Sequence, residues 1–497
     1  MQATLPVADF VRLHASARPD ATALIDAASG RRLAYAELDE RVARAVTMLG
    51  SLGVRTGDRV AALSRNSVQL VILHLACARA GAILAPLNWR LSPLELGRLI
   101  EDCDPALLYG DAQLERIDAP GLVRVSQDEL DARIDSSAPA AFAAGDAARP
   151  SLMLYTSGTS GRPKGVLLSE TNLLATAVNF SIIGEVSAES AFLVDSPMFH
   201  VIGMVTNIRP ALMMGGRIVV SSGFDPGVTL ARLGDSELGI THYFCVPQMA
   251  EMLRGCPGFD PQRLRGLKAI FTGGAPHPAA RIREWLADSI PIVDGYGMTE
   301  AGTVLGMPLD RAVIDGKAGS AGLMPPTIRH RIVDAADQEV GDGEVGELLL
   351  QGPNICSGYW RNEAETAKAF TADGYFRTGD LVRSDGDGFF FLAGRSKDMF
   401  ISGGENVYPA EVEAVLKSHP GVAEAAVVGV PDDRWGEVGH AFILLRSEAA
   451  CEEAALRRLC EACLARYKHP KAIHFLAELP RTATGKVVKA ELLKLVV

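Results

Sequence analysis

The 497-residue chain has no excess of positive charge: 49 Lys and Arg stand against 60 Asp and Glu, for a net charge of -11. Such a chain has no general attraction to a phosphate backbone or an anionic lipid surface. Nucleic acid is therefore not an expected partner, and any anionic ligand must be held by a local site. The chain also lacks a clean apolar run. Its most apolar stretch, Val68 to Leu87, contains His74 and Arg79 and reads as a buried helix plus strand, so no transmembrane segment is expected. Met1 to Pro19 has no basic segment ahead of a long apolar core, and Asp9 and Arg12 interrupt it. No secretory signal is expected, and a cytoplasmic location is the default. Cysteine is sparse, with eight in all. Cys77, Cys103, Cys245, Cys256, Cys356 and Cys451 are scattered. Cys460 and Cys463 form a C-x-x-C, but no second pair at zinc-finger spacing accompanies them, so they read as two small apolar residues on one helix face.

Two common nucleotide signatures are missing. No Gly-Lys-Ser or Gly-Lys-Thr occurs, which excludes a Walker A loop. The G-x-G-x-x-G spacing at Gly341 to Gly346 has no helical pattern after it, which excludes a dinucleotide fingerprint there.

What is present is an α/β pattern, with 49 glycines suited to a loop-rich enzyme. The length suggests about two to four domains. Leu38, Val42, Ala45, Val46 and Leu49 repeat with helical period. A strand at Val60 to Leu63, a helix at Val68 to Ala80 and a strand at Ala82 to Leu84 follow. The alternation predicts parallel sheets covered by helices. Ser136 to Arg149 reads as a linker. Further strands read at Ile218 to Val220, Thr241 to Val246, Lys268 to Phe271 and Pro291 to Val293. The last three run into loops at Pro247, Gly273 and Asp294, and ligands in open α/β sheets bind beyond the carboxyl ends of strands. Glu347 to Gln351 and Phe389 to Leu392 look antiparallel. After Lys397 the pattern restarts with helix Pro409 to Lys417, strands Ala425 to Val430 and Ala441 to Leu445, helix Glu452 to Leu464 and strand Ala472 to Phe475, enough for a separate domain.

The densest local signal is Tyr155-Thr156-Ser157-Gly158-Thr159-Ser160-Gly161-Arg162-Pro163-Lys164-Gly165, entered from an apolar strand, Leu152 to Tyr155. Glycines let backbone N–H groups converge on an anion, hydroxyls add donors and Lys164 adds charge, so the loop reads as phosphate-grasping.

With that loop the chain resembles the adenylate-forming enzymes, the family of acyl-CoA synthetases, firefly luciferase and peptide-synthetase adenylation domains. The resemblance runs through nearly the whole sequence in order: Pro197-Met198-Phe199-His200, Gly273-Gly274-Ala275-Pro276, Asp294-Gly295-Tyr296-Gly297-Met298-Thr299-Glu300, Arg377-Thr378-Gly379-Asp380, Gly394-Arg395-Ser396-Lys397-Asp398, Ser402-Gly403-Gly404-Glu405-Asn406 and Pro480 to Lys486. It is nearest in character to bacterial fatty-acyl-CoA synthetases and 4-coumarate–CoA ligases.

The resemblance implies a large domain, 1–394, that binds ATP and the acyl group, a hinge at 395–397 pivoting on Lys397, and a mobile α+β domain, 398–497. ATP, Mg²⁺ and coenzyme A are the implied cofactors. Thr156 to Gly161, Lys164, Gly273 to Pro276, Asp294 to Thr299, Asp380, Arg395 and Lys486 would hold ATP. Lys486 would reach the α-phosphate and the carboxylate, where charge builds during adenylation. Glu300, with Thr156 nearby, would hold Mg²⁺, a hard cation that prefers oxygen. Tyr296 would stack on adenine and Asp380 would accept the ribose hydroxyls. His200, a catalytic candidate, would close an acyl pocket of Phe199, Val201, Gly203, Met204, Val246, Gly274, Gly295, Gly297 and Thr303. Ser402, Gly403, Gly404 and Lys468 would meet CoA. These apolar pocket residues lack fixed charge, so a monocarboxylate with an apolar tail is expected, fatty first and arylpropenoic second, because a buried unpaired second carboxylate costs several kcal/mol. A carrier protein replacing CoA is the alternative acceptor, disfavoured because no carrier domain follows Val497. A non-catalytic acyl-nucleotide-binding protein is the remote alternative. Self-association into a homodimer is compatible with all of these.

Overall fold

The computed structural model describes residues 9–143, 145–156, 163–275, 277–395, 398–402, 405–432, 434–446, 451–464, 466–482 and 486–496. Two large sheets carry the first part of the chain. One runs in the order Gly302–Gly306, Ile292–Met298, Ala269–Thr272, His242–Cys245, Ala191–Val194, Arg217–Val220, Thr22–Asp26, Arg32–Ala34. Its interior pairings are parallel and its two outermost pairings antiparallel. The other runs Gly358–Tyr359, Lys164–Ser169, Pro150–Thr156, Ile83–Pro86, Arg59–Leu63, Leu107–Gly110, Val123–Ser126. It is parallel from Pro150–Thr156 onward and antiparallel at the Lys164–Ser169 end.

The apolar stretch at Val68 becomes the helix Val68–Ala80, buried from Val68 through Cys77 apart from Gln69. A helix apolar on all sides belongs in a core. Ser67 starts it by accepting from Leu70 N, and Gly81 ends it with a left-handed φ of +70°. The Tyr35–Ser51 helix buries Leu38, Val42, Ala45 and Leu49, as their spacing predicts. No described helix is long and apolar enough to cross a membrane.

A four-stranded antiparallel sheet follows: Arg329–Val333, Gly346–Gln351, Phe376–Ser384, Phe390–Arg395. The last sheet contains Glu405–Val407, Phe400–Ser402, Gly436–Leu445 and Val422–Asp432, with Ala472–Leu476 parallel to Gly436–Leu445. Helices Pro409–Lys417 and Glu453–Cys463 share its core through Val412, Leu416, Leu456 and Cys460. Cys463 is exposed, so the C-x-x-C does not form one buried face. The fold is thus α/β, a large part built on parallel-stranded sheets and a smaller C-terminal part.

The register places Cys245 beside Thr272 and Thr272 beside Asp294, so these carboxyl ends open at one edge. One expectation needs correction here. Gly295, Tyr296 and Gly297 are not loop residues. The strand Ile292–Met298 continues past Asp294, leaves the parallel sheet and pairs antiparallel with Gly302–Gly306. A Cβ on Gly297 would lie 2.4 Å from Gly302 O, so this close hairpin needs glycine.

Candidate active site

On the adenine side, Asp294 is fully enclosed. Its Oδ1 accepts from Thr272 Oγ1 at 3.1 Å and its Oδ2 from His277 N at 3.0 Å. Burial pushes its carboxyl up to about 7. The carboxyl therefore ties the Gly273–His277 turn to the strand. Gly274 bends that turn with φ +83°. Pro276 lies outside the described residues. Lys417, from the C-terminal part, acts electrostatically on both Asp294 and His277.

On the ribose side, Tyr296 donates its hydroxyl to Asp380 Oδ2 at 2.6 Å, and Arg395 Nε lies 3.1 Å from Asp380 Oδ1. Asp380 and Arg395 are paired across two strands. Burial and the neighbouring Asp380 carboxylate push the Tyr296 hydroxyl well up, so it stays a donor. Three residues proposed for one nucleotide thus meet, although they lie far apart in sequence.

On the phosphate side, Thr156 and Lys164 face each other across the mouth of the loop as paired strand residues. Ser157, Gly158, Thr159, Ser160 and Gly161 lie outside the described residues. Lys164 Nζ is 2.5 Å from Glu365 Oε2. Glu300 is buried in the turn after Met298, and its Oε1 accepts from Tyr359 Oη at 3.1 Å. Burial raises its carboxyl, as removal from water disfavours the charged form. The Glu300 carboxylate and the Thr156 hydroxyl are oxygen donors of the kind that would hold a hard divalent ion such as Mg²⁺. Among the described residues no cluster of three or more His, Cys, Asp or Glu forms a metal cage.

On the acyl side, His200 follows Phe199, with ring centroids 4.6 Å apart. Burial, then the charges of Lys486 and Arg90, hold the imidazole down at about 4. It is neutral at physiological pH. The charge of the C-terminal Lys486 is thus felt at His200. Lys486 itself is exposed, its backbone N donating to Thr482 Oγ1 at 3.2 Å. Val201, Val246, Gly295 and Thr303 are half-buried, and a Cβ on Gly274 would meet Val246 Cγ1 at 3.8 Å. Gly203 is pressed onto Pro197, where a Cβ would lie 2.2 Å from its carbonyl oxygen. Met204 is fully enclosed within the main core cluster.

The C-terminal part docks here through Arg446 Nη1 to Glu251 Oε2 at 3.1 Å and through Gln248 to Glu424. Ser402 is buried, Gly403 and Gly404 lie outside the described residues, and Lys468 is 2.7 Å from Glu411. Lys397, expected as the hinge, also lies outside them.

Four residues that the sequence did not single out stand in this site. Tyr359 and Glu365 contact Glu300 and Lys164, Lys417 stands by Asp294, and Arg90 lies near Phe199 and His200. Only Arg90 carried a local signal, a cation set beside Trp89 in an otherwise apolar stretch.

Buried titrating groups give a pH prediction. His200, His242 and His277 are each held at about 4, and His74 is held well below its usual value, mainly by burial. Unfolded, they would bind protons near 6.5, so their contribution to stability is full above 6.5 and is lost as pH falls toward 4. Asp195 and Asp294, both pushed up to about 7 by burial, run the other way, losing stability as pH rises from about 4 to 7, and Glu300, raised by burial, acts with the same sign. Four histidines outweigh three carboxyls, so the thermal midpoint should rise from pH 4.5 to 6.5. A midpoint that falls across that range in a calorimetric series would refute the assignment.

Family models match the chain in two places: an AMP-binding enzyme over residues 11–360 and an AMP-binding enzyme C-terminal domain over residues 411–486. The chain is 38% identical over 477 residues to a feruloyl-CoA synthase of Amycolatopsis sp, covering 95% of each. It is 37% identical to an indoleacetate–CoA ligase of Aromatoleum aromaticum, covering 99% of this chain and 98% of that one. It is 34% identical to a long-chain-fatty-acid–CoA ligase of Mycobacterium tuberculosis, covering 97% of each. Its fold matches the crystal structure of ATP-bound MatB from Rhodopseudomonas palustris with a TM-score of 0.88 over 98% of each chain, at 30% identity. The two family matches and the full-length relatives together show that the chain belongs to the AMP-binding, adenylate-forming enzyme family.

Proposed function

We propose that this enzyme is an AMP-forming acyl-CoA synthetase acting on an apolar monocarboxylate, with aryl and arylpropenoic acids as its main substrate class. The observation that supports the two-step reading is the gathering of Tyr296, Asp380 and Arg395 into one contact cluster, together with the Lys486 charge felt at His200. The reading puts the α-phosphate of a nucleotide held at that cluster within reach of Lys486. A carboxylate oxygen then attacks the α-phosphorus, the bond to the β-phosphate breaks and pyrophosphate leaves. Lys486 would stabilise the charge on both anions, and neutral His200 would close the pocket without competing for the carboxylate. Mg²⁺ at Glu300 and Thr156 would neutralise phosphate charge. In the second step the CoA sulfur attacks the acyl carbon, the bond to AMP breaks and the thiol proton is released.

The domain boundaries 1–394 and 398–497 with Lys397 as pivot belong to this proposal, as do CoA contacts by Ser402, Gly403, Gly404 and Lys468. Lys468 would have to leave Glu411 to meet a CoA phosphate. The docking through Arg446 and Glu251 fits the adenylating arrangement, with a second arrangement needed for CoA.

For the acid, two of the relatives are named for feruloyl and indoleacetyl substrates and stand above the fatty-acid ligase in identity. A medium or long fatty acid is the second reading, favoured by the fatty-acid relative. A second carboxylate would have to turn to Arg90. The test is acyl-CoA formation from acetate, malonate, octanoate, palmitate, benzoate and ferulate. Ferulate should give the highest kcat/KM. A tenfold lead for octanoate or palmitate would move the assignment to fatty acids, and a lead for malonate or acetate would overturn the apolar-tail reading.

A further inference from the structure

One short segment touches both charged ends of the phosphate corner. The strand Gly358–Tyr359 pairs antiparallel with Val166 and Leu167. Trp360 N donates to Gly165 O at 2.7 Å, and Cys356 N donates to Glu300 O at 2.7 Å. The segment is thereby stitched to the phosphate-loop strand on one side and to the Glu300 turn on the other. Asn362 then caps the helix Glu363–Ala369 by accepting from Glu365 N at 3.2 Å, which fixes where Glu365 begins.

Two side chains of this segment, Tyr359 and Glu365, meet the charged groups of the corner. Lys164 Nζ sits 4.9 Å from the ring centroid of Tyr359 and 2.5 Å from Glu365 Oε2. The hydroxyl of the same Tyr359 donates to Glu300 Oε1 at 3.1 Å. Glu365 also holds Lys368 through its other oxygen at 3.0 Å. A tyrosine ring that seats a cation while its hydroxyl orients a carboxylate links the two groups without letting them pair directly. An ammonium already neutralised by Glu365 is held in place, and an incoming polyanion must compete for it.

We infer that Tyr359 is a positioning residue for the triphosphate and its metal, aiming Glu300 and seating Lys164, and that Glu365 is the resting counter-ion which the ATP phosphates displace. The inference rests on the reading that Glu300 holds Mg²⁺ and Lys164 meets the triphosphate.

Calorimetric ATP binding across a Mg²⁺ series tests it on the full chain. In the parent enzyme, Mg²⁺ should tighten ATP binding; failure of that control would count against the underlying reading rather than the role of Tyr359. Tyr359→Phe keeps the ring and removes the hydroxyl. It should raise the Mg²⁺ concentration for half-maximal ATP binding about tenfold, the usual effect of losing a group that orients a metal ligand. Binding measured in EDTA should change little. An unchanged Mg²⁺ midpoint in a folded Tyr359→Phe protein overturns the positioning role. Glu365→Gln reads the second half independently, on a half-exposed helix where folding is at little risk. It should tighten ATP binding in EDTA by roughly threefold or more, because the phosphates no longer compete with a carboxylate. Unchanged or weaker binding overturns the counter-ion role.

Discussion

Lys486→Ala should abolish adenylate formation while sparing the second half-reaction. Lys486 is exposed, and its charge is felt at the half-buried His200. Removing one preorganised charge from a developing anion costs on the order of 10²–10³ in rate. Thioester formation from supplied acyl-adenylate does not build that charge at phosphorus, and it should stay within about tenfold of the parent rate. The measurement is acid-dependent pyrophosphate exchange beside acyl-CoA formation from synthetic acyl-adenylate. Equal loss in both would mean that Lys486 supports the fold or general binding and would remove it from the chemistry.

Lys397→Pro should produce the opposite split. The strand Phe390–Arg395 ends at Arg395, which is anchored to Asp380. Phe400 is already packed in the core of the small sheet. The crossing between them is short, and Lys397 lies in it. Proline fixes φ there and removes an N–H, so the small domain would keep one arrangement. With the adenylating contacts in place, adenylation should persist near the parent rate. Thioester formation should fall on the order of 10²-fold, the cost of a misplaced reacting group. Unchanged steady-state production of the CoA ester would rule out Lys397 as the pivot.

Much of the fold was legible because its elements obey simple periods. The helix at Val68–Ala80 was read with both ends correct, since Ser67 and Gly81 punctuate it. The helix Pro409–Lys417 was read equally well, its proline set at the first turn. The hairpin at Gly295–Gly297 was misread as loop because glycine usually signals a turn. Here it permits two strands to approach closely.

In the site, Asp380, Tyr296 and Arg395 were read from short motifs, and the structure brings them into contact. Met204 was grouped with the pocket as part of the run that begins at Phe199, but its side chain is fully enclosed in the main core cluster. Tyr359 and Glu365 were invisible for a different reason. Their contacts to Glu300 and Lys164 span 59 and 201 residues, and no local period or spacing encodes a pairing of that range.

The central claim, two reactions in sequence on one site, has a direct test. The enzyme is mixed with ATP, Mg²⁺ and ferulate without CoA, quenched and analysed by mass spectrometry, then chased with CoA. The account predicts feruloyl-adenylate bound to the enzyme before the chase, and feruloyl-CoA with AMP after it. CoA-ester formation with ADP and phosphate as products, or with no adenylate trapped at any acid in the panel, would contradict it.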